Sequence, residues 1–203
     1  MNSKLEYTKD EILKIVINNF LTMCKDRNYI DNVEKTFNSI SKDLDYNKSI
    51  KIKMNISNVY VYVTWDKMSS ILNNSPHDEF INSHVDNKKF LIVNNMPKKI
   101  LRQVSENSEK TNTQAFSVQE FMEAVTLKNI IPKHTILTLE EKEELIDNID
   151  IKNIAKIFDI DRMSRYYNAK VNDIFRIERN NIMSGTSIFY RIVVPGKIDL
   201  LYD

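Results

Sequence analysis

In this 203-residue chain, Asp78 followed by Asp86-Asn87-Lys88, just ahead of the apolar run Phe90-Leu91-Ile92-Val93, is the arrangement that comes nearest to breaking a bond. Metal-dependent nucleases of the restriction-enzyme type use one carboxylate, then an Asp/Glu-x-Lys on a neighbouring strand. The carboxylates hold Mg²⁺ and the lysine helps to activate water. The signal is short, because Asp-x-Lys recurs by chance in a chain so rich in both residues, and Asp86 precedes the strand instead of lying on it. A solvated loop is the plainer reading, and nuclease chemistry is kept as the alternative. His77, His84 and His134 show no spacing to one another or to Cys24 that suits zinc. Cys24 sits on the apolar side of a helical pattern, without a cue for activation. No serine has a nucleophile-elbow setting. Lys98, Lys99 and Arg102 follow the Met96-Pro97 turn, where a helix N-terminus and nearby cations can meet a phosphate; taken alone, a solvated helix face is the plainer reading. The expectation is a protein with no catalytic residues, no metal, no cofactor and no small-molecule substrate.

The bulk numbers agree. Hydrophobic residues make up 42% and charged residues 28%, an ordinary balance for a globular chain, and 203 residues accommodate two small domains. A net charge of +1 excludes a polycation that coats nucleic acid, but not a local basic patch. A single cysteine precludes an internal disulfide, and with no signal peptide a reducing intracellular compartment is expected. The apolar runs are too short for a membrane helix. Only two glycines occur, so glycine-rich phosphate loops are out of reach, and asparagine is expected at turns that need positive φ.

The elements that carry these residues follow from periodicity. Thr8 with Asp10 and Glu11 opens a helix whose apolar positions are Ile12, Ile15, Val16, Phe20 and Met23; it ends near Lys25–Asn28. Val33, Phe37, Ile40 and Leu44 predict a second helix. Ile50, Ile52 and Met54, then Val59, Val61 and Val63, alternate as two strands joined through Asn55–Asn58. Asp66–Asn87 reads as helix pieces and loop. Phe90–Val93 is a fully buried strand, and Lys98–Val104 a helix with Ile100, Leu101 and Val104 inward. Ser105–Thr113 reads as a polar, mobile segment, Gln114–Val118 as a strand and Glu120–Val125 as a short link. Strand and helix alternate, so the first part is an α/β layer. After a boundary near Gln119–Leu127, Ile130-Ile131-Pro132 leads to a capping box, Thr138 with Glu141, on a helix through Ile146. The glutamates of its first turn suit a helix N-terminus better than a metal. Ile151, Ile154, Ala155 and Phe158 suggest a further short helix or turn. Arg165-Tyr166-Tyr167 then forms a turn before paired strands at Val171–Glu178 and Ser187–Val194, connected through Asn180–Gly185.

The last third carries a recognisable order of motifs. Ile130-Ile131-Pro132-Lys133-His134 precedes the Glu-Glu helix of Thr138–Leu145. Asp161-Arg162-Met163-Ser164-Arg165-Tyr166-Tyr167-Asn168 follows, then Ile174–Arg179 and Tyr190-Arg191. Over about 65 residues this resembles the fifth subunit shared by eukaryotic nuclear RNA polymerases, whose C-terminal domain has a short counterpart in the archaeal enzyme. Asp26-Arg27-Asn28-Tyr29 looks like the family's Asp-Arg-Gly-Tyr, and Phe90–Val93 with Met96-Pro97 looks like its buried strand and proline loop. Arg162 stands in place of the family proline, Asn28, Asn168 and Asn172 in place of glycines, and Lys98-Lys99 in place of Ser-Ala.

The resemblance implies a mixed α/β chain: an αβα-layered N-terminal jaw domain, residues 1–125, and a small α+β assembly domain, residues 126–203. It implies a non-catalytic polymerase subunit. The C-terminal domain would dock on the largest subunit through Pro132, His134, Arg165, Tyr166, Tyr167, Arg179, Tyr190 and Arg191. The N-terminal domain would lie near downstream duplex DNA at Pro97, Lys98, Lys99 and Arg102, touching phosphates and reading no bases. The divergence and the asparagine-rich composition resemble a large DNA virus, which would place the protein in host cytoplasm and virion; a cellular origin would place it in the nucleus.

Overall fold

The computed structural model describes residues 7–55, 58–66, 70–122, 131–181 and 185–196. The chain divides into two compact units, Met1–Ala124 and Val125–Asp203. The expected boundary at residues 125/126, the Ile130 position of the second motif and the middle of two expected turns (56–57 and 182–184) lie outside the described residues.

Unit 1 opens with α1 (Lys9–Asp26). Thr8 accepts from the Glu11 backbone N–H while the Glu11 carboxylate accepts from that of Thr8, a complete capping box. The helix ends at Asp26 with Arg27 as its cap, and Asn28 follows at φ 58°. α2 (Val33–Ile40) is shorter than its apolar spacing suggests: Leu44 lies beyond it, after a turn in which Asp43 N–H donates to the Ile40 carbonyl. A four-stranded sheet follows in the order β1 (Ser49–Lys53), β2 (Asn58–Thr64), β3 (Lys88–Val93), β4 (Thr113–Ser117). β1 pairs antiparallel with β2; β2, β3 and β4 run parallel, so their connections must cross over a face of the sheet. α3 (Pro76–Asn82) and α4 (Lys98–Glu106) occupy those crossovers. Ser105–Thr113, expected as a mobile segment, instead contains the end of α4 and a helical turn, α5 (Ser108–Thr111), closed by Asn112 at φ 51°. α6 (Val118–Met122) ends the described part of this unit.

The register places Val61, Phe90, Ile92 and Phe116 on one side of the sheet. There Phe20 of α1 meets Phe90 edge-on at 4.9 Å and Phe121 of α6 at 5.9 Å. Such edge-on pairs add about 0.5–1.5 kcal/mol each beyond the area they bury. On the opposite side, Tyr62 contacts His77 and Phe80 of α3, each at 5.3 Å between ring centres. Helices therefore cover both sheet faces. Lys89, also on the α3 side, is fully buried, and its Nζ donates to the carbonyls of Ile81 and Ser83 at the end of α3.

Unit 2 has a second four-stranded sheet in the order β5 (Lys133–Ile136), β7 (Ile174–Asn181), β8 (Gly185–Val194), β6 (Ala155–Phe158). β5–β7 and β7–β8 are antiparallel and β6–β8 is parallel. α7 (Leu139–Asn148) carries the expected capping box of Thr138 and Glu141. Two expectations change here. The short helix or turn expected over Ile151–Phe158 is a 3-10 turn confined to Ile151–Asn153, and β6 follows it; Ile157 faces inward while its neighbours Lys156 and Phe158 are exposed. The i, i+3, i+7 spacing of Ile151, Ile154 and Phe158 imitates a helix because a turn and a strand meet there. β5 has no counterpart among the expected strands, since four residues of alternating half-burial give little periodicity.

α8 (Arg162–Tyr167) takes the place of the expected Arg-Tyr-Tyr turn. Asp161 caps it by accepting from Met163 N–H at 2.8 Å, and Arg162 occupies the first helical position, where proline is favoured but dispensable. Asn168, at φ 54°, closes the helix, with Ala169 N–H returning to the Ser164 carbonyl at 2.8 Å. Two small cores lie on opposite sides of this sheet. Ile157, Met163, Phe175, Ile177 and Val193 form one; Ile154, Ile174 and Ile192 form the other, with Leu145 of α7 against it.

Candidate functional site

The bond-breaking constellation does not assemble. Asp78 accepts from Asn74 N–H at 3.0 Å and from the Asn82 side chain at 2.9 Å, so it works within α3 and its approach. Lys88, at the start of β3, donates to the Tyr29 hydroxyl at 2.7 Å and lies 4.1 Å from the centre of that ring. Asp86 sits in the turn before β3. Among the described residues no group of three His, Cys, Asp or Glu side chains could hold a metal ion. Cys24 is buried, and burial pushes its thiol up to about 12, which makes it a poor nucleophile.

His77 packs in its ring cluster, and burial lowers its pKa against the opposing charge of Asp66. His84, at φ 44°, stacks on Tyr60 at 4.2 Å and 6° between planes. Both are accounted for by packing.

The cations of α4 sit together. Ile100, Leu101 and Val104 turn inward, which leaves Lys98 half-buried and Lys99 and Arg102 exposed. Pro97 precedes the helix in an extended conformation and no side chain caps this end. The loop before it follows β3 at the C-terminal end of the parallel strands, where Asn94 N–H donates to the Thr64 carbonyl at 3.0 Å. An uncapped positive helix end beside lysines is an environment that favours an anion.

The docking candidates of unit 2 fall into two groups that sequence proximity hides. Direct cross-strand partners share a face, and residues two apart repeat it. His134 opposite Ile177, Ile177 opposite Phe189, and Phe175 opposite Arg191 therefore place His134, Arg179, Phe189 and Arg191 on one face. Tyr190 is on the other, with Arg176, Glu178 and Ile188. Adjacent residues Tyr190 and Arg191 thus point in opposite directions.

On the first face His134 joins an aromatic chain. Its ring meets Phe175 edge-on at 5.7 Å, Phe175 meets Tyr167 at 6.0 Å, and Tyr167 meets Tyr166 at 5.1 Å. Nδ1 of His134 lies 2.7 Å from the Pro132 carbonyl. Burial holds the imidazole below its ordinary pKa and the Arg191 charge adds to that; the Pro132 carbonyl and Asp161 oppose. The neutral ring suits a packing position. Tyr166 is buried and Arg165 half-buried, both on α8, while Arg179 and Arg191 are exposed. Beside these cations Phe189 is 52% exposed, and Ile188 on the reverse face is 46% exposed. Neither stands out in the sequence. Their signal is a mismatch of strand lengths, ten residues in β8 against four in β5 and four in β6, which only the structure reveals.

Each unit thus presents exposed cations, with exposed Phe189 beside those of the second. The family model described as RNA polymerase Rpb5, C-terminal domain, matches residues 124–193. DNA-directed RNA polymerase subunit 5 of Acanthamoeba polyphaga mimivirus is 30% identical over 197 residues, covering 90% of this chain and 92% of the viral protein. The Rpo5 polymerase subunit of Archaeoglobus fulgidus is 39% identical over 67 residues, 32% of this chain and 88% of the archaeal protein. The RPABC1 subunit of RNA polymerases I, II and III from Caenorhabditis elegans is 28% identical over 93 residues, 45% of this chain and 44% of the nematode protein. The chain belongs to the DNA-directed RNA polymerase subunit 5 family.

Proposed function

We propose that this chain is a non-catalytic subunit of a multisubunit DNA-directed RNA polymerase, docked through its C-terminal unit on the largest subunit and carrying its N-terminal unit close to downstream duplex DNA. Similarity along nearly the whole length to a viral polymerase subunit 5 carries the reading. The exposed Arg179, Phe189 and Arg191 supply a docking face, a hydrophobic anchor with flanking cations. Lys98, Lys99 and Arg102 around the uncapped start of α4 supply phosphate contacts that position a duplex without reading it. The mimivirus relative supports a viral source, with host cytoplasm and virion as the places of action.

Affinity purification of the tagged full chain from its native source tests this. The expected outcome is recovery of a largest polymerase subunit in equal amount, reduced when Arg179→Glu and Arg191→Glu are combined. Recovery of no polymerase component would refute it.

A further inference from the structure

β8 is paired unevenly. β7 accompanies it over Gly185–Ile192, but β6 pairs only with Arg191–Val194. On the β6 side, Ser187–Tyr190 has no neighbouring strand among the described residues. Which backbone groups face that side follows from the ladder. Val193 exchanges both of its hydrogen bonds with the β7 side, giving its N–H to the Asp173 carbonyl and accepting from Asn172 N–H. The Val194 carbonyl, one residue on, accepts from Asp159 N–H on the β6 side. Alternation then turns the N–H and C=O of Ile188 to the free side, level with the line of β6.

This edge lacks the usual protections. No proline or lysine lies between Ser187 and Tyr190, and Ile188 and Phe189 are about half exposed on opposite faces. Natural sheets block such edges unless they pair with something. The two faces also differ. On one, Ile188 and Tyr190 are apolar or aromatic; on the other, exposed Arg191 flanks Phe189.

We propose that this free edge of β8 at Ile188 receives an extended segment of the largest polymerase subunit as an added strand, one that places an apolar residue beside Ile188 and a carboxylate beside Phe189, diagonal to Arg191. Main-chain hydrogen bonds give such a joint its affinity and the alternating side chains give it selectivity. The inference rests on the subunit reading above and deepens it by naming the mode of docking and the chemistry of the docked segment.

The test co-expresses the full chain with the largest subunit and measures the fraction recovered on the tagged chain. Ile188→Pro removes an N–H that points away from β7, so the β7–β8 ladder is kept while the joint loses a donor and gains a clash. Recovery should fall at least about tenfold, the equivalent of one to two hydrogen bonds. Ile188→Val, which keeps the N–H and the branched side chain, should recover the partner within about twofold of wild type. Hydrogen exchange on the wild-type pair gives a readout independent of whether the proline variant folds: exchange at Ile188 should slow at least about tenfold on assembly, together with one extended segment of the partner. Full recovery by a folded Ile188→Pro, or unchanged exchange at Ile188, overturns the edge joint while the subunit reading stands. A wild-type chain that recovers no largest subunit overturns both. Protection of Ile188 that grows with concentration of the chain alone assigns the edge to a second copy and overturns the proposal.

Discussion

Replacing Lys89 with Met gives a quantitative test of how unit 1 tolerates a charge in its interior. Lys89 is fully buried on β3 and donates to the carbonyls of Ile81 and Ser83. Burial holds its pKa down at about 8, against 10.5 for a free lysine. Between those values the unfolded chain binds more protons than the folded one, so raising the pH through this window favours the folded state. The penalty for burying the ammonium is fully present below pH 8 and is relieved as pH climbs toward 10.5. At about 1.4 kcal/mol per pH unit, the relief reaches at most about 3 kcal/mol. The two carbonyl acceptors favour the ammonium and make that figure a ceiling. Lys89→Met keeps the length of the side chain and removes the titration. Cys24 acts in the other direction: its thiol is held up to about 12 in the fold against 9.0 when free, so its contribution is lost as pH rises past 9. That term is common to both chains and cancels in their difference. The assay is urea unfolding followed by fluorescence of Trp65, the single tryptophan, at pH 7, 8, 9 and 10. The wild-type chain should gain on Lys89→Met as pH rises. A difference that stays flat to within about 0.5 kcal/mol, the scale of an inert surface change, would refute the reasoning. It would mean that the carbonyls of α3 keep the ammonium charged throughout.

Three further outcomes are expected. Asn168→Ala should destabilise unit 2 by about 1 kcal/mol, while Asn168→Gly should be neutral or stabilising, because φ is 54° there; chemical unfolding followed by amide exchange of β7 measures both. Lys99→Gln with Arg102→Gln in the assembled polymerase should weaken duplex binding and lower the slope of log affinity against log salt by about one per lost phosphate contact; an unchanged slope would remove α4 from the DNA path. A thiol reagent at pH 8 should leave Cys24 unmodified in the folded chain and label it fully in urea, since the side chain is buried.

Much of the scaffold was legible in the sequence because it rests on local signals. Both capping boxes announced helix starts, alternation marked β1 and β2, and an unbroken apolar run marked β3. Asparagine at glycine positions was legible too: Asn28, Asn168 and Asn172 all have positive φ. What failed was short and context-dependent. β5 and β6 have four residues each, and a strand of that length is defined by its neighbours more than by its own pattern. The acid–lysine spacing was kept only as the alternative, and the structure turns its parts to other partners: Asp78 to Asn74 and Asn82, Lys88 to Tyr29. The docking candidates were legible as residue types, but not as faces: Tyr190 and Arg191, adjacent in sequence, separate across the sheet. The overhang of β8 could not be read at all, since it is a difference between strands far apart in the chain.

Six of the seven non-glycine residues with positive φ among the described residues are asparagines: Asn28, Asn47, Asn74, Asn112, Asn168 and Asn172. This choice has a consequence for how the protein ages. Asparagine is among the thermally labile side chains, whereas glycine has no side chain to lose. Where loss of the amide yields aspartate, that residue also tolerates the left-handed conformation. The charge does not keep its value. From a net charge of +1, two such events bring the chain to −1. Each conversion to aspartate would lower the net charge by one, and the surfaces that depend on lysine and arginine are those it would weaken.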